Sequence, residues 1–302
     1  MNLIKKFFTY LIYYPERILL HLWAILAPII PDKLFLTVRY RLVMGYWMDF
    51  SNPTTFTEKL QWLKLNDRRQ EYTQMVDKYA VKHYVSEIIG EEYIIHTIGI
   101  WDKPEQIDWE NMPNQFVLKT TDGGGNYGVV IVKDKNNIDK NFIVNKLNKA
   151  LKQDIYLQLR EWPYKNVSKR IIAEQYIADN LNDYKFYCFN GEPKILLVAS
   201  NRNTTHNFDY YDLSFQHLDI TSRSGAKSSN PIEKPKNFEL MKDIVIKLAK
   251  DIPHVRVDLY NHEGKIYFGE MTFFDSSGYD DMNSKEWNQK MGDWIELPNC
   301  IE

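Results

Sequence analysis

Asp258 and Glu270 are the residues of this chain whose types and spacing most directly suggest chemistry. They sit in Val255-Arg256-Val257-Asp258-Leu259-Tyr260 and Ile266-Tyr267-Phe268-Gly269-Glu270-Met271-Thr272, on either side of Asn261-His262-Glu263-Gly264-Lys265. Both flanks alternate like strands and the middle reads as a turn, so a β-hairpin is predicted. A symmetric hairpin centred on Gly264 sets Asp258 opposite Glu270, close enough for the side chains to meet. Like charges placed this way repel and call for a compensating cation. Hard oxygen ligands suit Mg²⁺, which proteins usually hold together with phosphates. The pair points to a nucleotide–magnesium site.

Upstream residues add to this. Lys119 ends an apolar strand and is followed by Thr120-Thr121-Asp122-Gly123-Gly124-Gly125-Asn126-Tyr127-Gly128, after which a second strand begins at Val129. The loop lacks the Gly-Lys-Ser/Thr ending of a P-loop, and it joins strand to strand, unlike a Rossmann turn. A glycine hairpin of this kind can still cradle phosphates with its backbone N–H groups. On its own it would read as a flexible surface hairpin, but the strand-anchored Lys119 beside it suits a polyphosphate. Glu174-Gln175-Tyr176-Ile177 ends another strand, whose backbone can meet an adenine edge; a core strand with an exposed Glu is the plainer reading. Asp183 and Lys185 share one face of the next strand, either as site residues or as a solvated face.

The elements that position these residues follow from periodicity. Ser51 or Thr54 is placed to cap a helix running through Leu60, Trp62 and Leu63, and a second helix is predicted over 72–89 with Gly90 as its stop. Short strands are expected at 93–95 and 98–101, helices at 138–152 and 237–250, and strands at 170–177 and 184–200. Residues 201–235 read as a long polar connection with strand-like pieces. With 302 residues, 44% of them hydrophobic, the chain can bury a sizeable core as one large domain or two to three smaller ones. A net charge of −2 makes no case for nucleic acid as a partner. Cys188 and Cys300 have no metal-ligand spacing and make no disulfide framework, which suits a reducing cytosol. Twenty Tyr and eight Trp suit sugar or nucleobase platforms, although most aromatics build core.

The N-terminal 48 residues stand apart. The uncharged run from Ile18 to Pro31 has 14 residues, short of the roughly 20 needed to span a bilayer. Glu16 and Arg17 interrupt any signal-peptide pattern. Two readings stay open: an interfacial helix pair contacting a membrane through residues 1–30, or a helical element packed on the core, with partner binding as a third use.

Taken in order, these segments resemble the ATP-grasp superfamily, and more narrowly the TupA-like ATP-grasp proteins of bacterial surface-polysaccharide clusters. The resemblance runs from about residue 35 to about residue 295. It rests on Asn52-Pro53-x-Thr55-Phe56-x-Glu58-Lys59-Leu60-Gln61-Trp62-Leu63-Lys64, Val76-Asp77-Lys78-Tyr79-Ala80-Val81-Lys82, Pro113-Asn114-Gln115-Phe116-Val117-Leu118-Lys119, Arg160-Glu161-Trp162-Pro163-Tyr164-Lys165-Asn166, Asp183-Tyr184-Lys185-Phe186-Tyr187-Cys188-Phe189-Asn190-Gly191 and Val255-Arg256-Val257-Asp258-Leu259-Tyr260. These motifs are specific as a set and not singly.

The resemblance implies an α+β ATP-grasp fold with a nucleotide cleft between two α+β subdomains and an N-terminal helical extension. The implied divisions are 1–48 for the extension, 49–112 for a helical and α/β region, 113–178 for the lid subdomain and 179–302 for the subdomain with the metal site. It implies ATP and Mg²⁺ as cofactors. Lys82 and Lys119 match the phosphate-binding lysines, and Asp122, Gly123, Gly124, Gly125 and Gly128 match the lid. Glu174, Gln175 and Ile177 match the adenine hinge, and Asp183, with Lys185 on the same face, matches the ribose side. Arg256 is the implied charge-stabilising catalytic residue beside Lys119, and Asp258, Glu270 and Thr272 the implied metal ligands. Many ATP-grasp enzymes carry Asn where Thr272 stands, so a hydroxyl here replaces a carbonyl, on the Glu270 face of the strand.

The implied activity is ATP- and Mg²⁺-dependent ligation of a carboxylate through an acyl phosphate. The implied partners are a sugar or polysaccharide precursor and a small nucleophile, at the cytoplasmic side of the cell envelope. A sugar-modifying transferase such as a glycosyltransferase, and a non-catalytic assembly protein, are the competing classes. Trp162, Tyr164, Arg202, His206, Tyr210 and Tyr211 are candidates for the acceptor side.

Overall fold

A computed structural model of the chain describes residues 15–123, 127–201, 207–221, 226–228 and 232–299. Gly124 and Gly125 of the glycine loop, Arg202, His206, Cys300 and the first 14 residues of the N-terminal extension lie outside the described residues. The described part is α+β, with two antiparallel sheets.

The first sheet has the order β1-β4-β2-β3, from Thr97–Trp101 (β1), Phe116–Thr120 (β2), Val129–Val132 (β3) and Ile171–Gln175 (β4). Period-2 alternation gives its faces different jobs. Phe116, Leu118, Ile171 and Ala173 pack with Ile143 and Leu147 of helix Lys140–Leu151. The other face of β2 and β4 carries Val117, Lys119, Ile172 and Glu174, paired in register as Val117–Glu174 and Lys119–Ile172.

The second sheet has the order β7-β6-β5-β8-β9, from Asp183–Phe189 (β5), Glu192–Ser200 (β6), Asn207–Tyr211 (β7), His254–His262 (β8) and Lys265–Thr272 (β9). One face is apolar. Phe186 and Val257 belong to a large core shared with Phe238, Met241 and Val245 of helix Phe238–Ala249, and the Phe186 and Phe238 rings stack at 5.8 Å. Buried Cys188 belongs to this core. The opposite face carries Asp183, Lys185, Arg256, Asp258 and Glu270.

Helices α1 (Pro15–Leu26), α2 (Asp32–Met44), α3 (Phe56–Asn66), α4 (Glu71–Val76) and α5 (Ala80–Ile89) precede the sheets. The cap of α3 is Thr55 and not Ser51 or Thr54. Thr55 accepts from the Glu58 N–H, and Glu58 reaches back to the N–H groups of Thr54 and Thr55 in a capping box. The helix expected over 72–89 is two helices, because Asp77 intervenes: its carboxylate takes the N–H groups of Tyr79 and Ala80 and starts a new helix. Gly90 stops α5 with φ +108°. The strand expected at 93–95 is absent, because Glu91–Tyr93 closes as a 3₁₀ turn and pairing begins only at Thr97. Asn190 and Gly191, both at positive φ, split the segment expected as 184–200 into β5 and β6.

Candidate active site

The hairpin that motivated the site forms, and Asp258 does oppose Glu270. The reason differs from simple symmetry. The turn is the two-residue Glu263-Gly264, with φ +52° and +86°, and it pairs His262 with Lys265. That register alone sets Asp258 against Gly269. A bulge at Gly269 shifts the pairing by one residue and brings Glu270 opposite Asp258.

Cross-strand register then builds a charged row, Lys185–Asp258–Glu270, beside a second row, Tyr187–Arg256–Thr272. Arg256 grips both oxygens of Asp258, at 2.7 and 2.8 Å, and its Nη2 also reaches Glu270 at 3.1 Å and the Thr272 hydroxyl at 3.2 Å. Its Nη1 bonds Asp275, which also accepts from the Tyr187 hydroxyl at 2.7 Å. Lys185 pairs with Asp258 and with Asp183, the latter at 2.7 Å. The repulsion expected between the carboxylates is thus offset by this chain's own cations. Burial pushes Asp258 up to about 6 against the pull of Arg256 and Lys185. Burial pushes Glu270 the same way, but Lys78, Lys185 and Arg256 outweigh it and hold the carboxyl at about 2.

Asp183, Lys185, Arg256, Glu270 and Thr272 line a cleft of about 510 Å³ whose walls include Lys78, Lys119, Glu161, Tyr164, Tyr260 and the Asp275–Ser277 turn, and Asp258 lies beneath its floor. Lys78 stands 3.8 Å from Glu270 and donates to the Gly123 carbonyl, and its own N–H bonds Thr121 at 3.0 Å. The family resemblance assigns the phosphate role to Lys82, yet Lys78 of the same motif is the lysine that enters the cleft. Lys82 lies beside the cleft, in a small pocket with Lys119, Glu174 and Phe268, where it bonds the Ile95 carbonyl. Asp275, Ser276 and Ser277 were missed. Their signal was the Ser/Gly-rich run after β9, where Ser276, Ser277 and Gly278 take three successive positive φ values, +48°, +53° and +69°. Gln61 and Lys64 of α3 hold this turn through the Ser277 and Gly278 carbonyls.

Glu174 is buried, not exposed, and lies 2.6 Å from both Lys82 and Lys119. Burial alone would raise its carboxyl; the two ammonium groups outweigh this and hold it at about 2. Burial lowers Lys82 more than Glu174 restores it, whereas Glu174, with Tyr260 and Glu270, lifts Lys119 above its ordinary value despite burial. A carboxyl with a lowered folded pKa stabilises the fold above its unfolded value and loses that contribution as pH falls through the folded one. Between the ordinary value of 4.5 and about 2, wild type is expected to lose about 3 kcal/mol from this group. Urea midpoints of Glu174→Gln measured across that window should lack this component, and an unchanged pH slope would remove the assignment.

The lid residues Gly123 and Gly128 pack onto Thr120, and a Cβ at either would collide with its hydroxyl. Asp122 is buried at the lid base, 3.6 Å from Lys169. Gln175 donates its N–H to the His96 carbonyl and does not line the cleft, nor does Ile177. Of the acceptor candidates, Tyr164 lines the cleft, Tyr210 and Tyr211 are buried, and Trp162 stacks beneath Arg68 at 4.8 Å outside it.

Among the described residues no group of three or more His, Cys, Asp or Glu could hold a metal ion. Asp258 is 1% exposed with both oxygens engaged, while the Glu270 side chain, 34% exposed, opens into the cleft. Two carboxylates suffice for Mg²⁺ when phosphate oxygens and water complete the shell. Glu270 therefore fits Mg²⁺ arriving with a polyphosphate, whereas Asp258 would join the ion only by giving up Lys185 or one arm of Arg256.

Similarity to solved structures is distant. D-alanine–D-alanine ligase from Helicobacter pylori aligns with a TM-score of 0.45 at 14% identity, over 80% of this chain and 69% of that one. The Bacillus anthracis enzyme complexed with ATP aligns at 0.39 and 12%, over 85% and 73%. The Campylobacter jejuni biotin carboxylase-beta-gamma-ATP complex aligns at 0.42 and 15%, over 88% of this chain and 54% of that one. No curated protein matches significantly. The TupA-like ATP-grasp family model matches residues 58–296, which takes in Lys78, Lys119, Glu174, Lys185, Arg256, Asp258 and Glu270, and the chain belongs to that family.

Proposed function

We propose that the chain is an ATP- and Mg²⁺-dependent carboxylate ligase. The observation that supports this best is the Lys185–Asp258–Glu270 row under Arg256, set in the same cleft as Lys78 and Lys119 within an ATP-grasp chain. The polyphosphate lies between the two sheets. Lys78, Lys119 and Lys185 offset its charge, and the Gly123 lid edge, tied to Lys78, closes over it. Lys82 and Glu174, in the small pocket beside the cleft, take the adenine side, and Asp183 the ribose side.

A substrate carboxylate oxygen attacks the γ-phosphorus, the bond to the bridging oxygen of ADP breaks, and an acyl phosphate and ADP result. An amine nitrogen then attacks the acyl carbon, phosphate leaves, and the nitrogen gives up its proton. Arg256 is fixed by three carboxylates and pre-oriented toward charge that develops in transfer, which is the main contribution a protein makes to phosphoryl chemistry. Glu270 and Asp258 would hold Mg²⁺, with the Thr272 hydroxyl beside them, and the ion would screen the phosphate oxygens. We assign the acceptor to a sugar or polysaccharide precursor and the nucleophile to a small amine. The aromatic lining of the cleft by Tyr164, Phe208, Tyr260 and Phe274 supports a sugar ring as acceptor.

Thermal shift tests the reading. Mg·ATP at a hundredfold excess over its dissociation constant should stabilise wild type by about 2.7 kcal/mol. Glu270→Gln should lose the part of that response that depends on Mg²⁺. Stabilisation by UDP-sugars and none by Mg·ATP would establish a glycosyltransferase instead.

A further inference from the structure

The N-terminal helices present an apolar face that the described fold does not cover. Part of this segment is already used: the Trp23 indole of α1 donates to the Phe35 carbonyl at 3.1 Å and stacks on the Phe35 ring, and Ala27 in the turn after α1 is buried. Exposed aliphatics run from α1 through the 3₁₀ turn Ala27–Ile29 into α2. Leu19 is 50% exposed, Ile25 72%, Leu26 45%, Ile29 80% and Leu34 51%. Single exposed aliphatics are ordinary on a protein surface, but five within residues 19–34 are not. Aliphatics left outside a core in such number suit a lipid or partner surface.

Cations and aromatics border this face. Exposed Lys33 precedes Leu34. Arg68 and Lys165 lie over the Trp162 ring at 4.8 and 4.7 Å, and Lys165 also lies over Tyr156 at 5.0 Å. Asp32 at the start of α2 ties this cluster to the helices through Arg68 at 2.6 Å and the Tyr156 hydroxyl at 2.8 Å. By sequence, residues 1–48 carry a net charge of +4 in a chain of net −2. Among the described residues no helix is long and apolar enough to cross a membrane.

We propose that this face docks on an anionic lipid bilayer. Ile25, Ile29 and Leu34 enter the boundary of the acyl region, and the Trp162, Arg68 and Lys165 cluster sits at headgroup depth. Docking also orients the cleft. Arg160, 1% exposed, donates to the carbonyls of Ala27 and Ile30 and pairs with Asp32 at 2.9 Å, while its neighbours Leu159 and Glu161 line the cleft wall.

The test is flotation of the full chain with phosphatidylcholine vesicles, with and without phosphatidylglycerol, at low and high salt. Wild type should float with the anionic vesicles, and less so at high salt. The double substitution Ile25→Glu, Ile29→Glu should lower the bound-to-free ratio about tenfold or more, while keeping the wild-type unfolding midpoint. Lys33→Gln with Lys165→Gln should remove most of the salt-dependent part. Equal flotation of the double variant, or no phosphatidylglycerol-dependent flotation of wild type, overturns the proposal. It also fails if wild type proves to be a dimer that the Glu substitutions dissociate, since the face would then belong to a second copy of the chain.

Discussion

Replacing Arg256 by alanine is expected to destabilise the protein by about 3–5 kcal/mol at pH 7 and to abolish ATP turnover. Arg256 is 7% exposed, and its guanidinium is shared by Asp258, Glu270 and Asp275. Removing one member of a buried ionic network costs far more than the network contributes net, because the remaining charges are left uncompensated. The pH dependence gives the loss a signature. Burial already lifts Asp258 from 3.8 to about 6 with Arg256 in place, so without it the carboxyl rises further. A carboxyl raised in the folded state costs stability above its unfolded value, and the cost vanishes as pH falls toward that value. The deficit of Arg256→Ala should therefore be largest at neutral pH and shrink on acidification toward pH 4. Urea unfolding at several pH values measures it, and a deficit that is small or independent of pH would contradict the network. Arg256→Lys keeps the charge but loses the fork that grips both Asp258 oxygens, and should fall between.

Gly269→Val is expected to erase the response to Mg·ATP while leaving most of the fold in place. A Cβ at 269 would lie 3.0 Å from the Asp258 carbonyl oxygen and 3.2 Å from the Tyr260 ring. Relief requires either local overpacking, costing about 1–3 kcal/mol, or loss of the bulge. Without the bulge the turn register extends through β9 and sets residue 269 opposite Asp258. Because side chains alternate, a one-residue slip sends Glu270 to the other face of the sheet. Gly264→Ala is the control. It also strains the chain, at φ +86°, but it lies at the hairpin tip with nothing within 4 Å. It should cost about 1 kcal/mol and keep the nucleotide response. Far-UV circular dichroism with thermal shift separates the two; a normal Mg·ATP shift in Gly269→Val would show that the bulge does not set the site.

What the sequence disclosed and what it hid divide along local and non-local physics. The carboxylates on β8 and β9 were legible because strand alternation is written residue by residue. Their pairing emerged from an assumption of symmetry, whereas the structure reaches it through a tight turn plus a bulge, which periodicity does not encode. Lys78 and Lys82 are one helical turn apart in the same motif, and only the Asp77 break, which ends α4 and reaims the chain, sends Lys78 into the cleft and Lys82 toward Glu174. Glu174 looked like a surface residue because its two lysine partners come from β2 and α5, distant in sequence. Asp275 carried no periodic signal at all. Its position depends on a left-handed turn held from α3, more than 200 residues earlier.

Arg160 has a consequence for how this protein can change over time. Its guanidinium is spoken for by backbone carbonyls at 27 and 30 as well as by Asp32, so the path of the backbone between α1 and α2 and the shape of the cleft wall are a single inherited trait. Residues such as Ile25 and Ile29 carry no such obligation. Substitutions at those two positions leave the cleft wall untouched, whereas an insertion between residues 27 and 32 would be felt first at Glu161 and only then at the surface.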